Sequence, residues 1–464
     1  MHIDNQEKEG LTRGLSDRHI QMIALGGAIG VGLFYGSATT IKMTGPSVLL
    51  SYLLGGIIIF IIMRALGEMA VAEPVSGSFS SYANRYLGRF GGFFTGWTYW
   101  FLWIVVGMAE ISAFGIYIQY WLPGMPQWLS AFVVLIAMTL VNLINVKAYG
   151  EFEFWFALIK VIAILGMIVA GAGMILFGIG NADTPIGFSN LWSHGGFMPN
   201  GLTGFVMAFV MVMFSFGGVE LIGITAGEAK NPSKTIPKAI NSVIWRILVF
   251  YVGALLVMMA IYPWNEIGTQ GSPFVSVFAK VGIPAAASII NFVVITAALS
   301  AFNSGLFSTG RMLYNLALQD NAPKMFSKLS QSGTPSIGII FSSVVLLVGV
   351  FLNYVIPAKV FGYVTSVATV AAITAWTIIL LAQLQFRKVK MANNEKIAFK
   401  LPFYPYSSYI ALAFMAFIVI LIGYMPETRS ALYVAPVWFL LLYAGFKLRN
   451  KEKTAQAPLR ETGK

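Results

Sequence analysis

The sequence predicts an all-α integral membrane protein, and three observations support this class. Of its 464 residues, 57% are hydrophobic and only 10% are charged, whereas soluble domains carry about 25% charged residues. Apolar runs of about 18 residues or more recur along the chain, and each is long enough to cross a bilayer. Lysine and arginine are concentrated between alternate runs, which is typical of loops that face the cytoplasm.

Twelve spanning helices follow from the apolar runs, because clusters of proline, glycine and charged residues interrupt the hydrophobic pattern between them. In chain order, the predicted spans are 20–42, 47–71, 91–121, 128–147, 153–178, 202–228, 243–263, 284–313, 337–356, 360–384, 406–426 and 431–448. The chain then divides into a cytoplasmic N-terminal segment (1–19), a first half (20–178), a second half (202–384), a final pair of spans (406–448) and a cytoplasmic tail (449–464).

The distribution of basic residues predicts the orientation. With the N-terminus inside, 25 of the 30 basic residues lie on the cytoplasmic side. The exceptions are Lys42, Lys280, Lys359 and Arg429 outside, and Lys160 within a span. Both termini are therefore expected in the cytoplasm. The net charge of +12 therefore reflects mainly the orientation of the chain in the membrane. Membrane lipid is an expected partner, and nucleic acid is not.

Glycines interrupt the first and the sixth predicted spans. The first contains "ALGGAIGVGLF" (24–34) and the sixth contains "MFSFGGVELIG" (213–223). A glycine in a helix interior costs about 1 kcal/mol relative to alanine, so both helices are weakened near their middle. A repeat unit of five spans is odd, so the second copy is inverted in the membrane. The pattern predicts a five-plus-five inverted repeat with broken helices 1 and 6.

Close helix packing is the alternative explanation of these glycines. Gly26 and Gly30 have the spacing of small residues at a helix contact. Glycines at matched positions of two inverted halves favour broken helices, which mark the binding site of many secondary transporters.

A broken helix in lipid needs partners for its free backbone groups, and an amino acid zwitterion supplies them. The N–H groups at a half-helix N-terminus attract its carboxylate, and free carbonyls accept hydrogen bonds from its ammonium. Phe216, beside the second break, is the candidate for an aromatic gate over the ligand. The predicted substrate-binding residues are Ala28, Ile29, Gly30, Gly32, Phe214, Ser215, Phe216 and Gly218.

Three charged residues are candidates for proton coupling, because a charge within a span is costly and commonly functional. Lys160 lies about seven residues into span 5, and a buried lysine readily loses its proton. Glu220 directly follows the second break. Glu228 lies near the cytoplasmic end of the same span, where anchoring at the interface is the alternative role.

Other polar residues within the spans have structural roles in this interpretation. Arg64 and Glu68 lie one turn apart and predict an ion pair within span 2. The hydroxyl and amide side chains of span 8, Ser300 among them, are expected to join helices. For Glu110 in span 3, a functional role and exposure to water at the outer side both stay open.

The composition argues against catalysis and metal binding. The chain contains no cysteine and three scattered histidines, so neither thiol chemistry nor a metal site is expected. No nucleophile and base stand in a catalytic arrangement. We therefore expect neither an enzyme nor a bound cofactor.

Three stretches carry a resemblance to a known family. They are "GLSDRHIQMIALGGAIGVGLFYGSA", "FSFGGVELIGITAGEAKNPSKTIPKAI" and "GEFEFWFALIKV". They resemble the amino acid transporter family of the amino acid–polyamine–organocation superfamily, and the resemblance extends over essentially the whole chain. It implies the five-plus-five repeat with two additional C-terminal helices, alternating access, and proton-coupled uptake of amino acids.

The resemblance also implies roles for individual residues. Ile29, Gly30 and Gly32 correspond to positions that bind the substrate carboxylate, and Phe214 and Phe216 correspond to aromatic positions near the substrate.

The same resemblance extends to the charged residues. Lys160 corresponds to a lysine that takes the place of a sodium ion in sodium-driven relatives. Glu220 and Glu228 correspond to acids of the sixth span, one of which is implicated in coupling in a lysine-transporting branch.

The sequence therefore predicts a proton-coupled importer of a neutral L-amino acid in a bacterial cytoplasmic membrane. Its first span is most similar to members that take proline, histidine or threonine, and it also resembles permeases for aromatic amino acids and for D-alanine and glycine. An exchanger without net proton flow is the first alternative. An amino acid receptor or membrane scaffold is the second.

Overall fold

A computed structural model describes Met22 and residues 29–75, 78–144, 146–226, 232–268, 272–280 and 284–456, and this part of the chain is helices and connecting loops. The helices are α1 (a π-helical turn Gly32–Gly36 continued by Ser37–Thr44), α2 (Val48–Ala72), α3 (Ser78–Gln119), α4 (Gln127–Ile144), α5 (Val146–Phe177), α6 (Gly201–Ser215), α7 (Leu221–Ala226), α8 (Pro232–Arg246, a π-helical stretch Ile247–Gly253, and Ala254–Ile261), α9 (Pro273–Lys280), α10 (Pro284–Leu318), α11 (Ser336–Val355), α12 (Pro357–Ala392), α13 (Tyr406–Tyr424) and α14 (Ala431–Gln456). Short 3₁₀ turns occupy Gly45–Ser47, Ser189–Leu191, Trp264–Glu266 and Lys324–Ser327.

The helices are those of a multi-pass membrane protein. Among the described residues, 10 helical segments are long and apolar enough to cross a bilayer. The first of these, Gly32–Ala72, contains both α1 and α2, and α6 is a shorter apolar helix.

The chain reverses direction between α1 and α2. Gly45, at the end of α1, has φ +63°, a conformation that favours glycine. Gly32 and Tyr52, on opposite sides of this turn, both contact Ser215. A continuous helix would hold the two about 30 Å apart, so α1 and α2 form a hairpin.

Several helices extend beyond the predicted spans. α3 begins at Ser78 rather than at residue 91, with a kink at Gly88. α12 continues to Ala392 rather than ending at residue 384. Hydropathy finds only the apolar part of a helix, so it underestimates helices that continue into a polar region.

α3 packs against both α10 and α12, and these are the two most extensive helix–helix contacts of the bundle. Glycines bring α3 and α10 close together. A Cβ atom on Gly305 would lie 2.7 Å from the Trp103 ring, and one on Gly107 would lie 2.9 Å from Leu346 of α11 and 3.2 Å from the Phe302 ring. Small residues allow close approach between helices in a membrane, and the close spacing of α3 and α10 positions the polar groups described below.

The predicted ion pair between Arg64 and Glu68 is wrong. Glu68 is fully buried and pairs with Arg387 of α12, whose Nη2 atom donates a hydrogen bond of 2.8 Å to it. The N–H of Leu401 also donates to Glu68, at 2.8 Å. Arg64 instead donates to the Lys400 carbonyl at 3.0 Å. A residue one turn away on the same helix was the only partner visible in the sequence, whereas the tertiary structure supplies a buried arginine.

Candidate functional site

The first helix break lies at Ile29 and Gly30, where the backbone is not helical before α1 begins. The N–H groups of Leu33 and Phe34 both donate to the Gly30 carbonyl, at 3.2 and 3.3 Å. Ile29 is 1% exposed, so this end of α1 lies inside the protein. Span 1 is therefore not helical at residues 29–30, within the predicted stretch, whereas Gly26 and Gly27 lie outside the described residues.

The second break lies between α6, which ends at Ser215, and α7, which begins at Leu221. Gly218 has φ +98°, which a residue with a side chain rarely adopts. The Gly217 N–H donates to the Phe214 carbonyl at 2.9 Å. Span 6 is therefore also interrupted, at the predicted glycines.

The two breaks are in direct contact. A Cβ atom on Gly32 would lie 2.5 Å from Cα of Ser215, so only glycine allows the two backbones to approach this closely. The Ser215 carbonyl accepts a hydrogen bond of 2.7 Å from the Tyr251 hydroxyl, and its Oγ atom shares one of 3.2 Å with Tyr52. Because the Ser215 carbonyl oxygen already accepts from Tyr251, only one lone pair of this oxygen is left for a further hydrogen bond.

Lys160 of α5 joins the first break to α10. Its side chain is fully buried, and its Nζ atom donates to the Ile29 carbonyl at 3.0 Å and to Ser300 Oγ at 2.9 Å. An unwound carbonyl needs such a donor, because an unpaired backbone group in a membrane interior costs several kcal/mol. Lys160 therefore supports the broken conformation of the first span.

Glu153 completes this network and was missed by the sequence analysis. It is fully buried, and Ser300 Oγ donates a hydrogen bond of 2.6 Å to its Oε1 atom. Ser300 thus bridges the ammonium of Lys160 and the carboxylate of Glu153. The spacing of seven residues places Lys160 and Glu153 on the same face of α5, which is the signal that could have identified Glu153.

Glu220 lies at the second break and is also fully buried. Its Oε1 atom accepts a hydrogen bond of 3.3 Å from the Gly218 N–H, and its Oε2 atom accepts one of 3.3 Å from Trp376 Nε1 of α12. The carboxylate therefore stabilises the unwound segment and connects it to α12.

Glu110 of α3 lies against the first break. It is 3% exposed, so the interpretation that it reaches water does not fit the structure. A Cβ atom on Gly30 would lie 3.1 Å from its Oε1 atom, and the carboxylate faces the backbone N–H of Val31. Within the part of the chain that the structure describes, its Oε2 atom has no hydrogen-bond partner.

Aromatic rings separate the breaks from a cavity of about 200 Å³. The Tyr35 and Phe361 rings meet at 4.5 Å between centroids, and Phe361 also contacts Phe214 at 6.3 Å. Tyr35 and Phe361 line the cavity, which extends to Glu427 in the loop between α13 and α14.

Phe216, at the second break, does not line this cavity. Its ring is fully buried between Tyr52 of α2 and Tyr251 of α8, with centroid distances of 5.8 and 5.1 Å. Of the two predicted aromatic residues, Phe214 is the one whose ring contacts Phe361, a residue that lines the cavity.

Two of the predicted site residues, Ala28 and Glu228, lie outside the described residues. The other predicted positions gather around the two breaks, together with Glu110, Glu153 and Ser300. Within the described ranges, no group of three His, Cys, Asp or Glu side chains is placed to hold a metal ion. The arrangement offers polar backbone for a small zwitterion and ionisable groups for a proton.

Comparison with known proteins finds a family and close relatives that match nearly the whole chain. A family model described as amino acid permease matches residues 19–459. The chain is 56% identical over 451 residues to the uncharacterized amino acid permease YtnA of Bacillus subtilis (strain 168), covering 96% of this chain and 97% of the relative. It is 52% identical over 445 residues to the amino-acid permease AapA of the same organism, covering 96% of each chain. It is 51% identical over 449 residues to the probable threonine/serine transporter YbxG, also of Bacillus subtilis (strain 168), covering 97% of each chain.

Proposed function

Because the chain belongs to the amino acid permease family, we propose that it imports a neutral L-amino acid across the bacterial cytoplasmic membrane by proton symport with alternating access. Membership of this family makes it a membrane transporter and not an enzyme. The finer assignment rests on one observation, which is the direct contact of two broken helices at Gly32 and Ser215.

The contact of the breaks supports a substrate site for the zwitterion. The backbone at residues 29–32 offers N–H groups to a carboxylate, and the carbonyls beside the second break face the same region. These groups recognise the part that all amino acids share, so they set the class of substrate. Side-chain selectivity then falls to the rings and hydroxyls around Phe214 and Phe361.

The two breaks also support the inverted repeat. The broken segment α6–α7 is the sixth predicted span, five spans after the broken start of α1, and the hairpin of α1 and α2 counts as two crossings. On this assignment, α13 and α14 are the two additional helices, and the termini lie in the cytoplasm.

Lys160, Glu220 and Glu228 are the groups that we propose for proton coupling. The hydrogen bond from Lys160 to the Ile29 carbonyl supports a charge-dependent latch, in which the ammonium holds the inner part of span 1 and loss of its proton releases it. Glu220 supports coupling through the second break, because its carboxylate contacts both Gly218 and Trp376.

Uptake into proteoliposomes tests the proposal. The purified full chain is reconstituted, and uptake of each of the twenty radiolabelled L-amino acids is measured with and without an inward pH gradient. L-threonine and L-serine are tested first, since one relative is named as a probable threonine/serine transporter. Accumulation of a neutral amino acid that requires the gradient is expected. Exchange at equal rates with and without the gradient would identify an exchanger, and binding without uptake would identify a receptor.

A further inference from the structure

The first break already carries an internal carboxylate. Oε1 of Glu110 lies 3.1 Å from where a Cβ atom of Gly30 would stand, and the carboxylate faces the Val31 N–H. These are the backbone groups that the proposed function assigns to the substrate carboxylate. Glu110 is 3% exposed, and among the described residues its Oε2 atom has no hydrogen-bond partner, so this part of the structure holds a buried carboxyl group with an unused oxygen at the proposed place of binding.

Two carboxylates that share one site cannot both remain ionised, because their repulsion in a water-poor interior is strong. A substrate carboxylate at Gly30 and Val31 would lie beside that of Glu110. Protonation of Glu110 removes the repulsion, and the unused oxygen then carries an O–H that can donate a hydrogen bond to the substrate carboxylate.

We propose that Glu110 takes up the transported proton when the substrate carboxylate enters the first break, so that substrate binding and proton binding occur in the same step. This inference rests on the proposed function and adds the group that couples the two ligands. It explains why a costly charged residue is placed inside a span, next to a glycine that leaves room for it.

Glu110 also connects the substrate to the latch at Lys160. The carboxylates of Glu110 and Glu153 both act electrostatically on the Lys160 ammonium. Neutralising Glu110 removes one of these two stabilising charges, so the ammonium is less stable once the substrate is bound. The Lys160 hydrogen bond to Ile29 then weakens as its proton leaves.

The proton balance closes over one cycle. A proton from the outside protonates Glu110 as the substrate binds. Lys160 releases a proton to the cytoplasm as the inner side opens and the substrate leaves. The Glu110 proton then passes to the neutral Lys160 amine, which restores the starting charges. One proton and one substrate have crossed the membrane.

Other ionisable groups surround Glu110, and its pH dependence includes their effects. Lys160 faces it from α5, with Glu153 behind. Tyr117 lies on α3, as Glu110 does, and interacts electrostatically with the Glu110 carboxylate. The Tyr35 ring of α1 contacts the Tyr117 ring, with 6.2 Å between the centroids.

Proton uptake by the wild-type protein is the first test. The amino acid that the wild-type protein takes up best from the panel of twenty is added to the purified protein in weakly buffered detergent with a pH-sensitive dye. About one proton is expected to be taken up per bound substrate, and affinity is expected to fall up to tenfold per pH unit once Glu110 is ionised. Affinity that does not change with pH would overturn the inference.

Glu110→Gln supplies the decisive variant, because its amide is neutral and can donate a hydrogen bond as protonated Glu110 would. Binding and counterflow are expected within about threefold of the wild type, with no proton uptake and no accumulation driven by a pH gradient. Loss of binding and counterflow in correctly folded protein would contradict the inference, since it would mean that the Glu110 carboxylate binds the substrate ammonium. Accumulation at the wild-type level would contradict it as well.

Glu395→Gln, at an exposed cytoplasmic carboxylate, is the matched control and is expected to behave as the wild type. Failure of the proposed function is distinguishable, because the wild-type protein would then show no gradient-driven uptake of any of the twenty amino acids. Gradient-driven uptake by the wild type together with uptake by Glu110→Gln at the same level would leave the proposed function standing and refute the role of Glu110.

Discussion

The Nζ atom of Lys160 donates a hydrogen bond of 3.0 Å to the carbonyl oxygen of Ile29. This contact joins the middle of α5 to the unwound backbone that precedes α1. Lys160 is fully buried, so the proposed function makes the protonation of its side chain and the conformation of the break depend on each other.

Removal of the Lys160 ammonium is expected to uncouple transport. Lys160→Ala should reduce gradient-driven accumulation by at least tenfold while counterflow partly survives, since the substrate backbone groups remain. Initial uptake and counterflow in proteoliposomes provide the measurement. Lys388→Ala, at an exposed lysine of α12, serves as the control. Normal accumulation by Lys160→Ala would exclude a role in coupling.

A side chain at Gly32 is expected to separate the two breaks. The Cβ atom of Gly32→Ala would lie 2.5 Å from Cα of Ser215, and overpacking of this kind typically costs about 1–3 kcal/mol. Uptake should fall more than tenfold, and the thermal midpoint in detergent should decrease. Gly166→Ala on α5 is the matched control, because no described atom beyond its own helix backbone lies within 4 Å of where its Cβ atom would stand. Equal effects of the two substitutions would argue against contact between the breaks.

Lys160 and Glu153 are expected to act as a coupled pair through Ser300. In Glu153→Gln the Lys160 ammonium loses a buried anionic neighbour, whereas the double variant Lys160→Met/Glu153→Gln removes both charges. Groups in one network typically couple by about 0.5–3 kcal/mol. The double variant should therefore be more stable in thermal unfolding than the sum of the single changes implies. Simple additivity would show that the bridge through Ser300 is not energetically important.

The buried partner of Glu68 is expected to dominate stability where α2 meets α12. Arg387→Met leaves the fully buried Glu68 carboxylate without its charged partner, which typically costs about 3–5 kcal/mol. Arg64→Met should cost less than about 1 kcal/mol, because Arg64 is only partly buried and charges near the surface contribute little. Thermal unfolding of the two variants decides between the partners, and a larger loss for Arg64→Met would restore the pair that the sequence suggested.

Glu73, between α2 and α3, is expected to contribute a dependence of stability on pH. Its carboxylate accepts hydrogen bonds from the side chains of Tyr86, Lys390 and Arg85. Burial raises the pKa of Glu73, but these hydrogen bonds lower it by more, so that it lies below the ordinary value of 4.5. The stabilisation is therefore complete above pH 4.5 and is lost as the pH falls through the lowered pKa.

The thermal midpoint of the wild-type protein should accordingly fall below pH 4.5 more steeply than that of Glu73→Gln. Unfolding in detergent between about pH 3 and pH 7 provides the comparison. Parallel curves would show that the Glu73 hydrogen bonds do not survive in solution.

The positions of the breaks were predictable from the sequence, because glycine weakens a helix wherever it stands. "GGAIGVG" and "FGGVE" therefore indicated residues 29–30 and 216–220 correctly. The depth of Lys160 was predictable for a related reason, since its distance from the end of an apolar run is visible in the chain.

Partners on distant helices could not be predicted in the same way. Ser300 and Glu153 meet Lys160 only after α5 and α10 have packed together, and Arg387 reaches Glu68 across 319 residues. The direction in which the Phe216 ring points depends on how α6 and the unwound residues after it are rotated. Hydropathy does not predict this rotation, because the segment is apolar on all sides.

Gradient-driven accumulation by the reconstituted wild-type protein tests the central claim most directly. Proteoliposomes with an inward pH gradient should concentrate a neutral L-amino acid above its external level, and a protonophore should abolish the excess. Equal internal and external concentrations with the gradient intact, in vesicles that still exchange labelled for unlabelled amino acid, would contradict proton-coupled import.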